Sequence, residues 1–458
     1  LARALQPGIR AADEGFVVDP TFYAQTDEAI FGDFPATAAL YLKPDGTPRD
    51  VGSVIRNPDL ARTYRLLAER GPDAFYTGPL AQAIVDTVQH PPLRAGATRS
   101  VRPGVMEQAD LAAYRAIRRD PTHVRYRGLD VYGMGPPSSG GSTVGEILNI
   151  LEGYNLGALP REQALHLFLE ASRYAYADRG AFVGDPAFVK VPLDGLLSTS
   201  FAAERRGLIT DTAATSPVAA GDPSDDPKPP ADESASARRV GSTTNLTVTD
   251  RWGNVVEYTF TIEQTGGNGM VVPGYGFLLN NELTDFNLGR DGSSPAGANQ
   301  LTGGKRPRSS IAPTIVLRDG RPFFAVGSPG GASIITTVAQ LVVDRVDFGM
   351  SLPDAIAAPR LSQRNAPETQ IEAPPLAPPE AAALKQRGHA FMTSTGTGAQ
   401  IGAATGVELL GGSGVLAAAE PVRRGGGSAA VAVPRPPDHG VEGRARTRPA
   451  RPAGRARR

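Results

Sequence analysis

The 458-residue sequence contains no cysteine. That excludes thiol nucleophiles, disulfides, zinc ribbons and CxxC redox chemistry together. Histidine is scarce: only His90, His123, His166, His389 and His439 occur, none spaced as HExxH or as a local ligand pair. No G-x-S-x-G element is present, so a serine hydrolase of the nucleophile-elbow type lacks its nucleophile. Net charge is absent as well, with 47 basic against 47 acidic residues. No molecule-wide field therefore recruits nucleic acid or membrane. No apolar run reaches membrane-spanning length.

The length suits two or three domains, or one large core of layered sheets. The sequence opens at Leu1 inside a helical pattern over 1–14, without an initiating Met or a signal peptide, which reads as a fragment or a clipped gene. Asn57-Pro58-Asp59 is a helix start, with Leu60, Tyr64 and Leu67 at helical spacing and Gly71-Pro72 as the stop. Residues 81–89 and 105–117 read as further helices, and 125–131 as a strand. Pro136-Pro137-Ser138-Ser139-Gly140-Gly141 is a rigid turn leading into a helix with Val144, Ile147, Leu148 and Leu151 on one face. Another helix spans 163–179, with His166 as a packed residue. Residues 212–240 are rich in Pro, Asp, Ser, Ala and Gly, and read as a flexible linker with too little apolar bulk to order itself. Residues 311–317 and 322–326 are strands joined by an Asp319-Gly320 turn. Gly327-Ser328-Pro329-Gly330-Gly331 then precedes a helix over 334–346. Residues 350–433 alternate short helices, Pro-rich connections and strands. The Pro/Arg-rich tail, 434–458, reads as disordered and solvated.

The informative stretch is Gly241-Ser242-Thr243-Thr244-Asn245. From Leu246 to Val256 apolar and polar residues alternate around a turn at Asp250-Arg251-Trp252-Gly253-Asn254. In a hairpin centred on Trp252, Thr243 faces Thr261, and Glu263 shares the face of Thr261. Two threonine hydroxyls and a carboxylate thus gather at one point. A Thr-rich strand is also what plain β-propensity produces. Glu282 and Asp285, three apart, share a face if they lie on a helical turn. Glycines with free N–H groups at the start of the 334–346 helix suit an anion or a developing oxyanion.

Several motifs occur in a fixed order: Gly241-Ser242-Thr243-Thr244, Asp250-Arg251-Trp252-Gly253-Asn254-Val255-Val256, Thr261-Ile262-Glu263-Gln264, and Leu279-Asn280-Asn281-Glu282-Leu283-Thr284-Asp285-Phe286. Lys305-Arg306-Pro307 with Ser309-Ser310, Gly327-Ser328-Pro329-Gly330-Gly331, Pro136 to Gly141 and Tyr174-Ala175-Tyr176-Ala177-Asp178-Arg179 complete the set. With these the chain resembles the gamma-glutamyltranspeptidases, N-terminal-nucleophile hydrolases, over residues 1–430.

The resemblance implies an α+β fold, a four-layer αββα sandwich. It is built from a large-subunit segment (1–242) and a small-subunit segment (243–433) cut from one precursor. It implies that Thr243 attacks the carbonyl of Ser242, that the freed α-amine activates the Thr243 hydroxyl, and that Thr261 orients it. An α-amine with a pKa of ~7.7–8.0 is a competent base near neutral pH. Gly330 and Gly331 resemble the family's oxyanion hole. Glu263, Glu282 and Asp285 would hold the α-ammonium of a γ-glutamyl group, and Ser309 and Ser310 its α-carboxylate. The partners implied are γ-glutamyl compounds such as glutathione, with water or an amino acid as acceptor, and the implied reaction needs no metal or organic cofactor. The implied location is periplasmic or secreted. The short 288–304 loop resembles that of bacterial members lacking a lid, which suggests an open site.

The sequence departs from the family at Asn245, where His is usual, at Gly266 in place of an aromatic, at Asn268 in place of a small hydroxyl residue, and at Arg308 in place of an apolar one. The first part of a usual member, with the Arg that pairs the substrate α-carboxylate, has no counterpart here. Ser309 and Ser310 are then expected to offer only neutral hydrogen bonds, a large apolar face to lie open, and the chain alone to fold poorly or be inactive. Two other functions fit the sequence: a cephalosporin acylase of the glutaryl type, and an inactive truncated relative. Glu282 and Asp285 argue for glutamyl recognition, since a glutaryl group has no ammonium.

Overall fold

The computed structural model describes residues 1–224, 241–289, 294–372, 378–393, 400–412 and 414–432. A turn at Arg127-Gly128 divides the single strand suggested over 125–131. Both residues have positive φ, 51° and 78°, as a two-residue primed hairpin turn requires. The chain therefore doubles back, as β1 (Thr122–Tyr126) and β2 (Leu129–Gly133). Arg127 holds this backbone because its guanidinium donates to Asp347 at 2.8 Å and to the Glu152 and Tyr154 carbonyls at 2.8 and 2.5 Å.

The Thr243 hairpin forms as β3 (Gly241–Thr249) and β4 (Val255–Gln264). A second hairpin, β5 (Thr314–Arg318) and β6 (Arg321–Gly327), turns at Asp319-Gly320, both at positive φ. A third is β7 (Thr405–Leu409) with β8 (Val415–Ala419). Six strands make one antiparallel sheet in the order β8-β7-β6-β5-β2-β1. Strands from both sides of position 243 therefore share a sheet, with Val131 of β2 opposite Val316 of β5.

Six helices matter to the frame: α1 (Ala2–Glu14), α2 (Pro58–Arg70), α3 (Gly78–Gln89), α4 (Gly140–Leu151), α5 (Arg161–Phe182) and α6 (Ser333–Val346). Asn57 caps α2, its Oδ1 accepting the Leu60 N–H at 3.0 Å. The helix suggested over 105–117 is reduced to Gln108–Ala113, because Tyr114 leaves helical geometry and stacks on Tyr76. Helices α4 and α6 cover one face of the sheet. Ile147, Leu148, Val316, Val338 and Val342 there are fully buried, each stabilising the fold by about 1.5–3 kcal/mol relative to exposure.

Successive side chains of β7 point to opposite faces. Glu408 accepts from Arg345 of α6 at 2.5 Å, while the Thr405 hydroxyl accepts from Asn245 of β3 at 2.8 Å on the other face. The stacking order is thus helices, six-stranded sheet, β3–β4 hairpin. The hairpin is amphipathic in the sense opposite to a surface strand. Asn245, Thr247, Glu257 and Thr259 point inward, whereas Leu246, Val248, Val256, Tyr258 and Phe260 point outward and are 42–58% exposed. An apolar face does lie open among the described residues.

Residues 212–224 correct the linker reading. They bury little apolar bulk, yet their backbone is fastened to polar side chains. The N–H groups of Ala214, Val218 and Gly221 donate to Glu170, Asn365 and Asp178 at 2.9, 2.7 and 2.6 Å. The rest of that stretch, 225–240, and the tail at 434–458 lie outside the described residues.

Candidate active site

Thr243 sits opposite Thr261, and its Oγ1 donates to Thr261 Oγ1 at 3.1 Å. Both are half-buried. The register shifts immediately beyond this pair: Gly241 faces Gln264, so Ile262 and Glu263 together oppose the single Ser242. Such a bulge bends the strand and re-aims a side chain. Glu263 adopts φ +76°, a left-handed conformation that costs about 1–3 kcal/mol for a non-glycine residue. Its N–H donates to Thr261 Oγ1 at 2.8 Å, which fixes the rotamer of the hydroxyl facing Thr243.

From Glu263 a chain of hydrogen bonds leads to the other acidic residues. Asn281 Nδ2 donates to the Glu263 carboxylate, and Asn281 Oδ1 accepts the Gln264 N–H at 3.0 Å. Glu282–Asp285 is one turn of 3₁₀ helix, in which residues three apart eclipse one another. Burial first, then the neighbouring Asp285 and Glu263 charges, push the Glu282 carboxyl up to about 8. The Glu282 carboxyl thus feels the charges of both Asp285 and Glu263.

Asn299 ties this turn to the serine pair. Its Nδ2 donates to the Asp285 carbonyl at 2.7 Å, and its Oδ1 accepts the Arg308 N–H at 2.9 Å. Arg308, buried in place of the apolar residue usual there, donates to the carbonyls of Arg179 and Gly180 at 3.1 and 3.2 Å. A cation at the last turn of α5 is favoured by the helix dipole. Ser309 and Ser310 follow, both half-buried. The expectation of purely neutral serine hydroxyls needs correction: Arg179 of α5 donates to Ser310 Oγ at 2.8 Å. Sequence reasoning assigned no role to Arg179, Asn281, Asn299 or Ser139. The available signal was a charged residue, Arg179, one turn after Tyr176 on a helix that is otherwise almost wholly buried.

The glycine turn reaches the site along β6. A Cβ on Gly327 would fall 2.3 Å from Asn245 Oδ1 and 2.2 Å from Glu257 Oε1, so the hairpin presses directly on this backbone. Gly330 and Gly331 follow at φ +144° and +58°, just before α6. Beneath them Asn245 donates to Glu257 at 2.6 Å and accepts from Thr259 at 2.7 Å. Burial pushes Glu257 up to about 8, against the opposing hydrogen bonds from Thr247 and Asn245. Of the 288–304 loop, residues 290–293 lie outside the described residues. The side chain of Ser242 does too.

His166, Glu170 and His389 also converge, in the core. Most of their polar atoms are engaged with protein groups: His166 with His389 at 2.8 Å and the Thr210 carbonyl at 2.7 Å, Glu170 with Arg173 at 3.0 Å, while His389 Nδ1 has no hydrogen-bond partner among the described residues. Burial first, then His166, Arg173 and Arg387, push His389 down to about 3. The same positive surroundings, with the Glu170 carboxylate already paired to Arg173, oppose a bound dication.

The sequence profile of the gamma-glutamyltranspeptidase family matches residues 1–430. The glutathione hydrolase proenzyme of Bacillus subtilis (strain 168) is 38% identical over 369 residues, covering 79% of this chain and 60% of that protein. The Acylase ACY 1 proenzyme of Pseudomonas sp. (strain SE83) is 38% identical over 400 residues, covering 86% of this chain and 65% of the relative. The chain therefore spans less than two thirds of the length of these relatives. The crystal structure of cephalosporin acylase from Bacillus halodurans superposes with a TM-score of 0.79 at 28% identity, covering 95% of this chain and 75% of that one. Because the profile match runs from α1 through β8 and the α+β sandwich is that of the N-terminal-nucleophile hydrolases, the chain belongs to the gamma-glutamyltranspeptidase family.

Proposed function

We propose that this chain transfers or hydrolyses the γ-glutamyl group of glutathione and related compounds through an acyl-enzyme on Thr243. In the first stage the Thr243 hydroxyl attacks the Ser242 carbonyl, and the acyl group moves from nitrogen to oxygen. Water then hydrolyses the ester, leaving a Ser242 carboxylate and a free Thr243 α-amine. In the second stage that amine takes the hydroxyl proton as Thr243 attacks the γ-carbonyl. The N–H groups of Gly330 and Gly331 stabilise the tetrahedral oxyanion. The amine leaving group departs with the proton, and water or an amino acid removes the γ-glutamyl group. Thr261 orients the nucleophile throughout. Segments 1–242 and 243–433 stay together after cleavage because β2 remains paired with β5. The implied setting is outside the cytoplasm.

The observation that carries this reading is the Thr243–Thr261 hydroxyl pair beside a bulge holding Glu263, which Asn281 links to the turn of Glu282 and Asp285. Carboxylates gathered beside the nucleophile suit the α-ammonium that a γ-glutamyl group brings. Glutaryl acylase activity is the second reading, favoured by the acylase relatives. A glutaryl group has the same carbon chain and terminal carboxylate but no ammonium. Initial rates on γ-glutamyl and glutaryl anilides separate the two. Faster turnover of the γ-glutamyl anilide is expected. Preference for the glutaryl anilide would favour the acylase, and turnover of neither would indicate an inactive relative.

A further inference from the structure

Helix α5 grips the site at two places one turn apart. Tyr176 Oη donates to the Ala332 carbonyl at 2.5 Å, behind the glycine turn. On the same face, Arg179 Nε donates to Ser139 Oγ at 2.7 Å and Arg179 Nη2 to Ser310 Oγ at 2.8 Å. Ser139 in turn donates to the Ser309 carbonyl twice, from its hydroxyl at 2.7 Å and from its backbone N–H at 2.9 Å. Arg179 is only 8% exposed. One buried fork therefore sets both the backbone of Ser309 and the rotamer of Ser310.

A hydroxyl that accepts from a guanidinium has its own proton turned elsewhere, because the guanidinium has no acceptor to offer. Among the described residues no group accepts the Ser310 proton, and Ser310 is half-buried rather than sealed. Donation from a cation into its oxygen also makes the hydroxyl a stronger donor. We propose that Arg179 is a positioning and specificity residue for the carboxylate end of the acyl group. It locks Ser310 directly, and Ser309 through Ser139, so that the Ser310 hydroxyl presents its proton to that carboxylate. The proposal rests on reading Ser309 and Ser310 as the carboxylate subsite. It does not depend on the ammonium subsite, since a glutaryl group ends in the same carboxylate.

Calorimetric titration of the 458-residue chain with L-glutamate, its α-amide and glutarate tests this. Wild type is expected to prefer glutamate over the α-amide. Arg179→Met should cut that preference roughly tenfold, the loss of one charge-assisted hydrogen bond, with the preference for glutamate over glutarate unchanged. Ser310→Ala, which leaves the buried guanidinium in place, should reproduce the loss and guards against misfolding of Arg179→Met. A merely structural Arg179 would weaken all three ligands alike. If both variants keep the wild-type preference for carboxylate over amide, the role of Arg179 is overturned while the γ-glutamyl reading stands. If wild type binds glutarate as well as glutamate, the γ-glutamyl reading falls and Arg179 keeps its role. If wild type does not distinguish carboxylate from amide, the serine assignment and the role of Arg179 fall together.

Discussion

Thr261→Ala is expected to slow cleavage at Ser242–Thr243 by about 10²-fold or more, in the range for a reacting group misplaced by about 1 Å. The Thr243 hydroxyl donates to Thr261 Oγ1 at 3.1 Å, and the Glu263 N–H donates to the same oxygen at 2.8 Å. Alanine removes this shared acceptor, and with it both hydrogen bonds. Thr243 then loses the contact that aims its oxygen, and the bulge at Ile262-Glu263 loses the bond that fixes its shape. Thr261→Ser keeps the oxygen and should cleave within about tenfold of wild type, since one orienting methyl is worth roughly 1 kcal/mol. Time courses of intact chain on denaturing gels, with circular dichroism as a folding control, measure this. Cleavage of a folded Thr261→Ala chain at the wild-type rate would remove Thr261 from the mechanism.

Affinity for γ-glutamyl ligands should rise as pH increases toward about 8, and Glu282→Gln should flatten the rise. In the free protein burial and the Asp285 and Glu263 charges hold Glu282 up to about 8, so it is largely protonated at neutral pH. An ammonium favours the carboxylate form, so binding must expel that proton. Below the free pKa each pH unit then costs close to tenfold in affinity, until the lower pKa of the complex is reached. Above it the dependence vanishes, and then reverses as the ligand amine loses its own proton. Asp285→Asn, which removes a neighbouring negative charge, should lower the Glu282 pKa and move the rise to lower pH. It should also weaken binding ten- to a hundredfold, the value of roughly one charged hydrogen bond. Titrations between pH 5.5 and 9 read both effects. A pH-independent wild-type affinity would show that Glu282 does not meet the ammonium.

How far the sequence leads depends on the range of each interaction. The β3–β4 register was legible from Thr249 back to Thr243 because a turn and a two-residue period determine those pairings, which puts Thr243 on Thr261, whereas the bulge that shifts Gly241 onto Gln264 was not. The caps of α2 and the Asp319-Gly320 turn are equally local. Alternation does not say which face of the hairpin is inward, and here the polar face is buried. The Arg127-Gly128 turn is hidden because Arg127 is stabilised by Asp347, remote in sequence. Order in 212–224 comes from Glu170, Asp178 and Asn365, not from residues of the segment itself. Within the candidate site the residue types were legible from family motifs. Their connections through Asn281, Asn299 and Arg179 were not, since contacts between distant segments leave no periodic trace. The conflict between exposed Leu246, Val248, Val256, Tyr258 and Phe260 and an aqueous surface is the feature of the fold that local rules explain least.

Self-cleavage at Thr243 is the claim on which the rest depends, and the intact mass of the purified chain tests it most directly. After incubation near neutral pH, two fragments are expected, ending at Ser242 and beginning at Thr243. Their summed mass should exceed that of the precursor by one water, and Thr243→Ala should remain whole. A single uncut mass for wild type, or cleavage that persists at the same bond in Thr243→Ala, would contradict an N-terminal threonine nucleophile in this chain.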